Sequence, residues 1–85
     1  MSERQRFRYR PDILARLWVH GIQPREWTRP ELVRDFVRDL YKYEIWRLRT
    51  QMLANEFPRG EYSARVEALR NQYPVLALLP RQFVE

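Results

Sequence analysis

Apolar residues recur along this chain with two periods, and the change from one to the other divides it. Arg4, Arg6, Arg8 and Arg10 alternate with Gln5, Phe7 and Tyr9. In an extended backbone a period of two puts the guanidiniums on one side and the aromatic rings on the other. Residues 1–10 therefore read as an extended basic arm.

From Ile13 the period becomes helical. Ile13, Leu14, Leu17 and Trp18 predict a first helix over about 11–20, opened by Pro11 and Asp12. Gly21 stands just past its end, where a left-handed backbone is needed. A second helix is predicted over about 29–56. Thr28 and Glu31 have the spacing of a capping box, and Trp27 and Leu32 that of a hydrophobic staple. No further Gly or Pro occurs until Pro58. A third helix is predicted over about 60–73, carrying Tyr62, Val66, Leu69 and Tyr73 at spacings of four and three and ended by Pro74. The short link between the last two helices predicts an antiparallel hairpin. Residues 74–85 form an apolar tail too greasy to stay in water.

The expected fold is thus an all-α, three-helix domain spanning 11–85. It is built on the long hairpin, with the basic arm before it and the tail after it. The expected core is Leu14, Leu17, Trp18, Val33, Phe36, Val37, Leu40, Tyr41, Leu48, Met52, Val66 and Leu69.

The second helix is the most informative element. At 1.5 Å per residue it is about 42 Å long, whereas a compact chain of this length is about 30 Å across. One apolar stripe runs Val33, Phe36, Val37, Leu40, Tyr41, Leu48, Met52. A second, confined to the C-terminal half, runs Tyr43, Trp46, Leu53, Phe57 with Thr50 in the gap. A helix apolar on two faces is covered on two sides. Neighbouring helices can cover the first stripe. The second awaits the tail, a second copy or a foreign protein. Tyr43, Trp46, Leu53 and Phe57 are therefore the candidate interface residues, of the types that anchor interfaces.

Composition and charge narrow the function. The 85 residues include 45% hydrophobic and 14% aromatic residues, enough for a core, and no cysteine. Net charge is +5 with pI near 10.2, and the arm carries three of those five charges. Lys42 is the single lysine against fifteen arginines, which fits either phosphate recognition or a GC-rich genome. Arg4, Arg6, Arg8 and Arg10 with Phe7 and Tyr9 are the candidate nucleic-acid contacts, guanidiniums for phosphates and rings for bases. The longest apolar run, Val75 to Leu79, is five residues. A membrane span needs about 20, so no span is expected. With no apolar stretch after the arginines, no secretory signal is expected either, and the expected location is cytoplasmic.

Catalytic chemistry finds little support. His20 is the only histidine, Ser2 and Ser63 the only serines, Gly21 and Gly60 the only glycines. No transition-metal site, nucleophile elbow or phosphate-cradling loop can be built from these. Glu44, in the middle of the first stripe, reads as a structural carboxylate needing a partner rather than as a general acid. Arg16, Arg47 or Arg65 are the expected partners. The row Glu31, Asp35, Asp39 is flanked by Arg34, Arg38 and Lys42 and reads as a solvated, salt-bridged face. The expectation is a non-catalytic interaction or adaptor protein, with no cofactor, metal or small-molecule substrate, and with a protein partner or a homodimer. The alternative is an RNA- or DNA-binding accessory protein using the arm.

Overall fold

The computed structural model describes residues 5–85. Three α-helices follow in order, α1 (Pro11–Trp18), α2 (Pro30–Leu53) and α3 (Tyr62–Arg70). Short 3₁₀ turns lie at Arg59–Glu61, Pro74–Ala77 and Pro80–Phe83. Among the described residues the only β-type pairing is one antiparallel bridge between Tyr9 and Val84. The chain is all-α.

Prolines set where the elements begin. A residue before proline is driven out of the helical region, and Arg10, Arg29 and Leu79 all have extended backbones with ψ of 139°, 134° and 153°. Arg29 is therefore the N-cap of α2 and Pro30 its first residue. This displaces the expected capping box: Thr28 lies one position too early. Its hydroxyl instead accepts the Arg25 N–H at 3.0 Å, closing the turn before the helix. The staple pair, Trp27 and Leu32, is more than half exposed. The same rule keeps Tyr73, with φ −123° and ψ 52° before Pro74, out of α3, which runs over Tyr62–Arg70 rather than 60–73 because a 3₁₀ turn precedes it and a turn follows it.

Two helix ends share one termination device. After α1, Gly21 adopts φ +74°, with Ile22 N–H donating to the Leu17 carbonyl and Gly21 N–H to that of Trp18. After α2, Asn55 adopts φ +61°, with Glu56 N–H donating to the Gln51 carbonyl and Asn55 N–H to that of Met52. Both are Schellman caps, with the left-handed residue supplied once by Gly and once by Asn.

The core lies at the N-terminal half of α2. Tyr9, Ile13, Leu17, Val33, Val37, Tyr73, Val75 and Phe83 form one buried cluster. The arm and the tail close it together. Arg10 N–H donates to the Phe83 carbonyl and Glu85 N–H to that of Arg8, both at 2.9 Å, while Phe7 N–H reaches the Glu26 carbonyl. Arg34 fixes the tail to α2 by donating from Nε to the Leu78 carbonyl at 3.0 Å and from Nη2 to that of Leu76 at 2.9 Å.

The expected core needs correction. Leu14, Trp18 and Phe36 are exposed, while Leu48, Met52 and Val66 are only half-buried. On α1 the inward pair is Ile13 and Leu17, four residues apart, which turns Leu14 and Trp18 outward. The places expected for those larger side chains are taken by Tyr9 from the arm and by Tyr73, Val75 and Phe83 from α3 onward.

The far half of α2 packs against α3. Phe57 is buried there with the Arg65 guanidinium 4.2 Å from its ring centroid, and the Tyr73 hydroxyl donates to the Glu44 carboxylate. The molecule measures 56 × 23 × 19 Å with a radius of gyration of 15.9 Å. A compact domain of this length would have about 12 Å. α2 runs over 24 residues, about 36 Å, rather than the expected 29–56, and it supplies the larger part of the long axis.

Candidate functional site

One face of α2 is left open from end to end. Leu32, Phe36, Asp39, Tyr43, Trp46, Thr50 and Leu53 follow one another at alternating steps of four and three residues. At 100° per residue they fall within an arc of about 100°. Five of the seven are apolar, and Phe36 is 61% exposed, Trp46 60% and Tyr43 55%. Tyr43 and Trp46 stack on each other with centroids 6.0 Å apart. Thr50 turns its hydroxyl to the Trp46 carbonyl at 2.9 Å, a back-bond that leaves its methyl for the stripe. From Leu32 to Leu53 the stripe is about 32 Å long.

The open stripe differs from the expected one at both ends. It extends N-terminally through Phe36 and Leu32, because Val33 and Val37 suffice to face the core. It stops at Leu53, because Phe57 is buried beneath Arg65 and takes no part in an exposed surface. Nor does the tail cover it. Arg34, which anchors the tail, lies about 150° round the helix from the stripe. Beyond Leu32 and Phe36 the apolar surface continues over Ile22 and Pro24 to Leu14 and Trp18, since the loop 22–24 borders a groove on each side.

Charged residues flank the stripe along this side of α2. Its N-terminal part carries Glu31, Asp35 and Asp39, with Arg38 3.3 Å from Asp35 and 3.7 Å from Asp39. Its C-terminal part carries Lys42, Arg47 and Arg49. The expected salt-bridged face is present in part: Arg38 pairs with Asp35 and Asp39, while Arg34 is turned to the tail carbonyls.

Glu44 lies on the opposite side and is half-buried. Its partner is the Tyr73 hydroxyl rather than any arginine. Tyr73 in turn stacks on His20, centroids 4.1 Å apart, and meets Tyr41 edge-on at 5.2 Å. His20 Nε2 is 2.7 Å from the Gln72 carbonyl, so that nitrogen carries the proton and donates. Sequence reasoning placed His20 at the end of α1 but missed this cluster, whose members are up to 53 positions apart. The Tyr73 hydroxyl, one Glu44 oxygen and His20 Nε2 are each held by a fixed neighbour, which ties the end of α1 and the segment after α3 to the middle of α2.

The arm is divided as well. Tyr9 is buried and its hydroxyl donates to the Thr28 carbonyl. Burial and the nearby Glu31 carboxylate push that hydroxyl up to about 12. Phe7 is half-buried against the core. Neither ring is free to stack on a base. Arg6 pairs with Glu26 at 3.5 Å, Arg8 with Glu85 at 3.8 Å and Arg10 with Asp12 at 3.1 Å, while Arg4 lies outside the described residues. Among the described residues no three His, Cys, Asp or Glu side chains are grouped to hold a metal ion, and no helix is long and apolar enough to cross a membrane. Comparison of the chain with protein-family models, with curated proteins and with solved structures returns no match, so geometry alone carries the functional reading.

Proposed function

We propose that this chain is a small, non-catalytic protein–protein interaction or adaptor subunit whose contact surface is the open face of α2. One observation carries the reading: Leu32, Phe36, Tyr43, Trp46 and Leu53 lie in register along one side of one helix, each more than half exposed. Scattered apolar residues on a surface are ordinary, whereas large apolar side chains gathered along one helix face mark a docking site. Covering a large apolar side chain contributes about 1.5–3 kcal/mol. Aromatics of this kind supply interface hot spots.

The RNA- or DNA-binding alternative keeps the exposed Arg6, Arg8 and Arg10, each beside a carboxylate, but not its stacking rings, because Phe7 and Tyr9 pack against the core. The interaction reading is tested by placing a photo-crosslinking residue at position 46 of the full chain in cells. A covalent adduct is expected, and it should vanish when Phe36→Glu is added. Irradiation that yields no adduct removes the proposal.

A further inference from the structure

We propose that the occupant of the open α2 face is a second copy of this chain, docked antiparallel about a two-fold axis; this rests on the interaction reading above. The alternating steps of four and three make Leu32, Phe36, Asp39, Tyr43, Trp46, Thr50 and Leu53 the seam of a two-helix coiled coil. Asp35, Lys42 and Arg49 flank that seam at seven-residue intervals.

Polar and charged positions select the orientation. In a parallel pair each seam residue meets its own copy, so the two Asp39 carboxylates would face each other in an apolar layer. Lys42 would also face the partner's Arg47 across the flank. Both contacts are repulsive. In an antiparallel pair centred near Tyr41, Trp46 meets the partner's Phe36, Thr50 meets the partner's Leu32 and the Tyr43 hydroxyl meets the partner's Asp39 carboxylate. Asp35 then faces the partner's Arg49 twice over, against one like-charge contact, Lys42 with the partner's Lys42 beside the axis. The two-fold repeats every contact, as an isologous interface requires. Sliding this pair by one heptad sets Lys42 against the partner's Arg49 and Asp35 against the partner's Glu56, which are like charges. Sliding it one heptad the other way pairs Asp35 with the partner's Lys42 but sets Trp46 against the partner's Arg29 and shortens the apolar seam. Flank charges therefore favour opposite directions, and the overlap of the apolar seam selects this register.

The open area is of the size a dimer needs. An aromatic side chain carries 150–250 Å², so each half-exposed one leaves on the order of 100 Å² open. The four open aromatics, Phe36, Tyr43, Trp46 and Trp18, therefore offer on the order of 400 Å², to which Leu14, Leu32 and Leu53 add, beside about 800 Å² per partner in a standard interface. The partner's Leu53 would fall near Ile22 and Pro24, the loop that joins the seam to Trp18.

Sedimentation velocity of the purified full chain tests this. A micromolar dimer is expected. Trp46→Glu should make it monomeric with an unchanged circular dichroism spectrum, since that indole touches little of its own chain. Asp35→Arg should raise the dimer Kd about tenfold, and Asp35→Arg combined with Arg49→Asp should restore it. A chain that stays monomeric, or a dimer indifferent to the charge exchange, overturns the proposal. A photo-crosslinker at position 43 in cells separates the two levels. A monomer that crosslinks to a heavier protein sinks self-pairing and keeps the docking face. A monomer that crosslinks to nothing sinks both.

Discussion

The imidazole of His20 stacks on the phenol ring of Tyr73, planes 17° from parallel, while the Tyr73 hydroxyl donates to Glu44. One tyrosine thus joins the end of α1 to the middle of α2. Tyr73→Phe keeps the ring and removes the donor, leaving a half-buried carboxylate without its hydrogen bond. The expected cost is about 1–3 kcal/mol of unfolding free energy. His20→Ala should cost about 1 kcal/mol, and the double variant should show coupling because the two share Tyr73. Urea denaturation measures all three.

Arg34 binds two tail carbonyls with one guanidinium. Lysine keeps the charge but lacks the planar fork. Arg34→Lys should loosen residues 74–85 without melting α2, which hydrogen exchange would show as lost protection confined to the tail and to its pairing with residues 8–10.

Tyr9 supplies a pH dependence with a definite sign. Its hydroxyl ionises at about 12 in the folded chain, against an ordinary value near 10. The unfolded chain thus loses this proton first, and the native state binds more protons between those values. The stabilisation is complete below pH 10 and is lost as pH rises toward 12. About two pH units correspond to roughly 2–3 kcal/mol. Tyr9→Phe should flatten the stability curve across that alkaline window, as followed by the denaturation midpoint.

Core and open face should respond oppositely to truncation. Phe83 is fully buried, so Phe83→Ala should cost about 3–5 kcal/mol. Phe36→Ser, on the open face, should leave the monomer within about 0.5 kcal/mol. A large loss at Phe36 under dissociating conditions would show that its ring supports the fold.

The arm tests the alternative function only if its core residue is spared. Deleting residues 1–10 removes Tyr9 along with the arginines and would unfold the chain. Arg6→Gln with Arg8→Gln removes two exposed cations and leaves Tyr9 in place. On the interaction reading, single-stranded nucleic acid binds no differently afterwards. A steep salt dependence that these substitutions abolish would favour the nucleic-acid reading instead.

Local chemistry made part of this molecule legible from the residues alone. Helical periodicity located α1, α2 and α3. Gly21 marked the end of α1, because a left-handed cap is a property of one residue and its near neighbours. The unusual length of α2 and the open residues Tyr43, Trp46 and Leu53 were legible too, since residues on one helix face are fixed by their spacing. The capping box at Thr28 misled because two local rules competed. The constraint that Pro30 places on Arg29 outweighs a side-chain hydrogen bond. What only the tertiary structure decided is which of several apolar faces turns inward. Ile13 and Leu14, or Val33 and Phe36, are equally apolar and adjacent on their helices. The choice goes with Tyr9, Tyr73, Val75 and Phe83, which come from the two ends of the chain and fill the space against the inward face. Burial is a property of partners distant in sequence, so periodicity names the candidate faces and packing selects among them.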